Sequence, residues 1–193
     1  MSPLTLFIIR HAEKPGEAWP GPGLTEGGKE DSESLVIRGW QRAGAWAALF
    51  GSGLVAGTGG GFYAEPDRIY AAAPGPHDRL NHGPSRRPAE TVWPLAERLG
   101  LKTDLGFPRG QEGGLVKELL SLSGVVLVAW EHKAIVEDIL PKIPIEGGAP
   151  PTRWPSERYD VVLRFDRAIG ETNFLFRQMF PMLLPGDSDT PLT

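Results

Sequence analysis

Two short, almost unbroken apolar runs, each ending abruptly in a charged pair that contains a histidine, constrain this chain more than any other feature. The first is Leu4-Thr5-Leu6-Phe7-Ile8-Ile9 followed by Arg10-His11; the second is Val125-Val126-Leu127-Val128-Ala129-Trp130 followed by Glu131-His132. Near-continuous hydrophobicity belongs to a strand covered on both faces, as in a parallel α/β sheet. Open α/β sheets bind ligands at the carboxyl ends of their strands, so Arg10 and His11 fall where a site forms. Arginine brings a permanent cation with a planar donor fork, and imidazole serves as nucleophile or base near neutral pH. Side by side they suit a phosphate.

The intervening segments read as helices and loops. Gly16 to Ser32 is rich in Gly, Pro and acidic residues and has no period, so it reads as an exposed loop able to overhang the site. Val36, Trp40, Ala43, Ala47 and Phe50 recur at helical spacing and predict an amphipathic helix. Gly51 to Gly61, with six glycines, reads as a connection and not a phosphate-binding loop, because no Gly-Lys-Ser/Thr follows. Asp67 to Ala72 predicts a second strand, and Pro74 to Ser85 a loop at its carboxyl end. His77, Asp78 and His82 in that loop could be imagined as metal ligands, but their irregular spacing favours a surface loop. Ala89, Val92, Ala96 and Leu99 mark another helix, with Pro88 in its first turn and Gly100 as its stop. Leu101 to Leu105 reads as a short edge strand, and Leu115, Leu119 and Leu122 as a helix starting near Glu112. Ile135, Val136, Ile139 and Leu140 give the helix after the second apolar run.

Beyond the Pro-rich stretch from Gly147 to Pro155, Asp160 to Asp166 alternates, and Phe174, Phe176 and Phe180 follow similarly. Joined around Gly170, these runs predict an antiparallel hairpin at the sheet edge. The element order argues for a three-layer α/β/α sandwich with a mostly parallel central sheet. At 193 residues, one domain over residues 1–184 is expected, with residues 185–193 as a flexible C-terminal tail. A net charge of −4 gives no field favouring nucleic acid. The first apolar run is too short to span a bilayer and has no cleavable-signal layout, so no membrane partner is expected and the chain reads as cytoplasmic. Zero cysteines exclude disulfides, thiolate metal sites and cysteine nucleophiles.

Arg10-His11-Ala12-Glu13-Lys14-Pro15 resembles the Arg-His-Gly/Ala signature of the histidine phosphatase superfamily, also called phosphoglycerate mutase-like. Three further stretches match that family in order. Leu35-Val36-Ile37-Arg38-Gly39-Trp40-Gln41-Arg42-Ala43 resembles its first-helix pattern, with Val36 and Arg42 as departures. Arg87-Pro88-Ala89-Glu90-Thr91 is similar to its second-arginine motif, with Arg86 as the competing residue and an unusually long loop before it. Val126 to His132 resembles the strand that ends in its second catalytic histidine. The resemblance implies a phosphoglycerate mutase-like fold and a metal-independent phosphomonoesterase of the histidine acid phosphatase type.

In that reading His11 forms a phosphohistidine while Arg10, Arg87 and His132 hold the oxygens, with no cofactor and no metal. The substrate is a small phosphorylated metabolite or a phosphoprotein. Glu13, Glu112 and Glu131 all qualify as general acid, and the family's usual position implies Glu112. Alternation at the strand end would point Glu131 away from His132. Two other outcomes stand beside this one: a non-catalytic member that binds a phosphorylated ligand, and mutase-type phosphoryl transfer. The mutase branch's extra acidic motif after the second-arginine helix is missing, and a non-catalytic member would be expected to lack His11 or one cation. Trp19, Trp154 and the Pro-rich loops are candidates to shape the substrate pocket.

Overall fold

The computed structural model describes residues 1–53, 61–75 and 85–193. His77, Asp78 and His82 lie outside the described residues, as does most of the glycine-rich connection. Five strands, β1 (Leu4–Arg10), β2 (Arg68–Ala71), β3 (Gly124–Trp130), β4 (Val162–Arg167) and β5 (Leu175–Met179), form one sheet in the order β2-β3-β1-β4-β5. β1 and β3 are parallel neighbours at its centre, with β2 parallel to β3 on the outside. β4 runs antiparallel to β1, and β5 antiparallel to β4, giving the hairpin at the edge. Gly170, at φ 85°, makes the turn between them in a conformation that side chains with a Cβ disfavour.

The two central strands are almost wholly apolar because both faces are covered. Phe7 and Ile9 of β1, with Leu127 and Ala129 of β3, face α1 (Ile37–Phe50) and α2 (Arg87–Leu99) through Trp46, Phe50, Val92 and Leu95. Leu6 and Ile8, with Val126 and Val128, face α3 (Glu112–Ser121) through Leu115 and Leu119 on the other side. Ile135 and Ile139 cover the same face from the helical segment after β3. That segment, α4, begins as one α-helical turn at His132–Ala134 and widens into a π-helical turn at Ile135–Ile139. Alternate residues of each strand thus enter opposite cores, as the pleat requires. Among the described residues no helix is long and apolar enough to cross a membrane.

Two expectations fail locally. Leu101 to Leu105 forms no strand, only a single bridge between Tyr70 and Asp104. Asp104 Oδ1 accepts from Gly106 N–H at 2.7 Å, a local turn that interrupts the pairing before a second single bridge forms between Ala73 and Pro108. The segment 185–193 is not a loose tail. Ser188 N–H donates to Asp160 Oδ2 at 2.6 Å, Leu192 exchanges two backbone hydrogen bonds with the Gln178 side chain, and the Leu192 side chain is buried. Its polar, Pro-rich composition resembles a frayed end, but distant side chains satisfy its backbone.

Candidate active site

The central pairing of β1 with β3 sets the site. Arg10 is in register with Trp130, and His11 N–H donates to Trp130 carbonyl at 2.9 Å, so the two histidine-bearing strand ends leave the sheet side by side. Arg10 is fully buried. Its Nη1 donates to the carbonyls of Pro155, Ser156 and Arg158 at 3.2, 2.8 and 2.9 Å, and its guanidinium carbon lies 3.8 Å from the centre of the Tyr159 ring. The other half of the fork, Nε and Nη2, is buried with no hydrogen-bond partner in the protein.

His11 is buried, with Nδ1 2.8 Å from the Ala12 carbonyl. That contact makes Nδ1 the protonated nitrogen and leaves Nε2 its lone pair. Burial, reinforced by the positive charge of Arg10, pushes the imidazole down to about 3, so it is neutral across the physiological range. Arg87, at the start of α2, and Glu131 also act on the His11 ring electrostatically. Arg87 Nη2 donates to Ser32 carbonyl at 2.6 Å and pairs with Glu33 at 3.1 Å, drawing the overhanging loop onto the site, while its Nε is buried without a partner. Arg86 instead faces Glu26 and Glu90, at 3.6 and 3.5 Å, and is largely exposed. Of the two arginines, Arg87 is the one whose charge acts on His11.

Glu131 departs from expectation. It is not a continuation of the strand but the N-cap of α4: Oε2 accepts from Ala134 N–H at 3.0 Å, and Oε1 lies 2.7 Å from His132 Nδ1. This contact is off the line of the ring N–H and does not amount to a well-directed hydrogen bond. Burial works against its charge, but contact with His132 and the N–H groups of Ala134 and Lys133 prevails and holds the carboxyl down to about 2. The turn from strand to helix removes the alternation that would have pointed it elsewhere.

The remaining candidate acids sit apart from the His11 ring's immediate partners. Glu13 is fully buried, and Arg42 grips it through Nε at 2.9 and 3.0 Å and through Nη2 at 2.8 Å. The same Arg42 bonds Asp187 at 2.7 and 3.2 Å, joining the loop after His11 to the C-terminal segment. Arg42, a departure from the family pattern, is thus the anchor of this loop. A Cβ at Gly39 would collide with the Glu13 carbonyl, so the glycine lets α1 pack directly on that loop. Glu112 is buried at the start of α3, where Oε1 accepts from Trp130 Nε1 at 3.0 Å and Gly110 N–H at 3.1 Å. It therefore stands beside the last residue of β3, next in chain to Glu131.

Two further residues hold the site although sequence reasoning assigned them nothing. Thr91 accepts from Ala12 N–H at 2.8 Å and donates to Arg87 carbonyl at 2.7 Å, linking the loop after His11 to Arg87. It lies inside the quoted arginine motif, so its spacing from Arg87 was an available signal. Tyr159 stacks on Arg10 and comes within 6.1 Å of the His11 ring centre. No local pattern marks it.

The open five-stranded sheet of parallel and antiparallel strands, with both histidines leaving adjacent central strands, is a phosphoglycerate mutase-like α/β fold. No protein-family model matches the sequence, and no curated protein matches it. Solved structures do. The protein histidine phosphatase SixA, complexed with tungstate, is 17% identical with a TM-score of 0.56, over 92% of this chain and 97% of that one. A mycobacterial glucosyl-3-phosphoglycerate phosphatase is 15% identical with a TM-score of 0.52, over 92% of this chain and 98% of that one. At such identities the likeness establishes the fold.

Proposed function

We propose that this protein is a phosphomonoesterase that works through a phosphohistidine on His11. The observation that carries the reading is a set of buried donors without protein partners, Arg10 Nε, Arg10 Nη2 and Arg87 Nε, on the two arginines whose charges act on a neutral His11. Buried donors are rarely left unpaired, and a group with several anionic oxygens satisfies them together through charge-assisted bonds. The tetrahedral oxyanion tungstate bound by the structurally similar SixA fits the same chemistry.

In this mechanism His11 Nε2 attacks phosphorus, the N–P bond forms and the ester P–O bond breaks. Arg10, Arg87 and His132 stabilise the charge on the equatorial oxygens. Glu112 gives a proton to the leaving oxygen. Water then attacks phosphorus, the N–P bond breaks, and phosphate leaves. Splitting the displacement is the advantage of covalent catalysis, and with these cations in place the steps call for no metal. The structurally similar proteins act on a phosphorylated protein histidine in one case and on a phosphorylated small molecule in the other, so either substrate class fits the fold.

The test is hydrolysis of p-nitrophenyl phosphate with excess chelator present, together with rapid quench of a labelled substrate. Phosphate release, inhibition by vanadate and an acid-labile, alkali-stable adduct on His11 are expected. Activity lost in chelator and restored by a divalent metal would sink the mechanism, and an adduct that persists in His11→Ala would move the nucleophile to His132.

A further inference from the structure

Beside these residues lies a cleft of about 290 Å³ that no step above uses. One wall is the start of α4, with His132, Lys133 and Val136; the other is the loop from Thr152 to Ser156. Both walls join the donor set already described. His132 lines the cleft itself, and Pro155 and Ser156 are the residues whose carbonyls hold Arg10. An ester with its phosphoryl group on Arg10 and His132 can therefore lay its alcohol part here.

The cleft's charge is unusual. Among the described residues, Arg153 is the only arginine whose side chain makes no hydrogen bond or ion pair; the others are tied to carboxylates or carbonyls, as with Arg68, Arg98, Arg109 and Arg177. Lys133, on the opposite wall, also makes no ion pair among the described residues, and both side chains are exposed. Glu137 is the sole carboxylate of the lining. Trp154, next in chain to Arg153, lines the same cleft, buried and held by its Nε1 donating to Arg158 carbonyl at 2.9 Å. The volume lies at the lower end of the range for small-molecule sites, about 300–1,000 Å³.

We propose that this cleft is the leaving-group subsite, and that it selects phosphate monoesters whose alcohol part is small and carries a second anion held by Lys133 and Arg153. The inference rests on the phosphatase reading and narrows its substrate class. A carboxylate and a further phosphate present the same chemistry to two cations, so the experiment separates them.

Steady-state kcat/KM is measured on propyl phosphate, 3-phosphonooxypropanoate and propane-1,3-diyl bisphosphate, which differ only in the group at the far carbon. One or both of the anionic esters should exceed propyl phosphate by about tenfold or more, the worth of one charge-assisted contact. The ratio should fall towards one in the Lys133→Ala/Arg153→Ala double variant and drop below one when Arg153→Glu replaces the alanine. Equal kcat/KM on all three esters overturns the subsite while leaving phosphate release, and hence the phosphatase reading, intact. A phosphorylated peptide preferred over all three by about 100-fold also overturns it. If none of the esters turns over, the phosphatase reading fails, and calorimetric titration of the same three still reads the cleft: tighter binding of the anionic esters supports it, and equal binding removes it.

Discussion

The ends of β1 and β3 start from the same layout, an apolar strand running into a charged residue and a histidine, yet the structure treats them differently. At β1 the histidine is the first residue beyond the strand, buried, tied by Nδ1 to its neighbour's carbonyl and pushed down to about 3. At β3 a carboxylate comes first and caps α4, so His132 sits in a helical turn against an ionised Glu131. One residue of offset turns an isolated neutral lone pair into an imidazole in contact with an anion. Position on the sheet made both histidines candidates, and local chain direction gives them different surroundings, which the proposed mechanism uses as nucleophile and oxyanion donor.

The sharpest way to break that comparison is to delete each histidine. His11→Ala should lower kcat on p-nitrophenyl phosphate by about 10⁴-fold or more, as loss of a nucleophile does, and abolish the adduct. His132→Ala should cost about 100–1,000-fold, the usual worth of one preorganised donor, and keep the adduct. Equal losses would mean the two strand ends act as one unit. A smaller contrast concerns the arginines that open α2. Arg10→Ala and Arg87→Ala should each reduce kcat by about 100–1,000-fold, whereas Arg86→Ala, whose contacts run to Glu26 and Glu90, should stay within about twofold, as a lost surface pair would.

The difference between the strand ends also shows what the sequence could say. Both apolar runs, the arginine motif and the hairpin were legible because burial on two faces and period-2 alternation leave local signatures. What escaped depends on long-range partners. Glu13 stands in the sequence as a candidate acid, but it is claimed by Arg42 of α1, which also claims Asp187 from the far end of the chain. The same contact helps hold the C-terminal segment, whose local composition carries no sign of a partner so distant in sequence. Glu131 was misread because strand alternation was extended past the point where the chain caps a helix. Tyr159 is adjacent to Arg10 only through the fold.

Glu112 tests whether the β3 side supplies a proton as well as a donor. Nitrophenolate leaves with little protonation and an alkyl alkoxide needs much, so Glu112→Gln should slow hydrolysis of propyl phosphate by about 100-fold while affecting p-nitrophenyl phosphate far less. Equal, small effects on both would reduce Glu112 to its hydrogen bonds with Trp130 and Gly110. Glu13→Gln is the matching control: its carboxylate is held by Arg42, so its loss should lower stability without any dependence on the leaving group.

The smallest expected effect is on stability against pH, and there the two strand ends separate by window. His11 titrates near 6.5 when unfolded but at about 3 when folded. Between those values the unfolded chain binds the extra proton, so stability is full above about pH 6.5 and is lost as pH falls towards 3. Glu131 falls from its ordinary 4.5 to about 2, so its contribution is present above about pH 4.5 and is lost only as pH falls below it. Urea unfolding at pH 6.5 and 4.5 should therefore show a decrease of about 2 kcal/mol in the wild-type protein that is absent in His11→Ala and retained in Glu131→Gln. Below pH 4.5 the order reverses, and Glu131→Gln should lose stability with a shallower slope than wild type. If His11→Ala keeps the full loss between pH 6.5 and 4.5, the imidazole at the end of β1 is not held neutral by its surroundings. The distinction between a lone-pair nucleophile and an anion-paired donor would then have to rest on Glu131 alone.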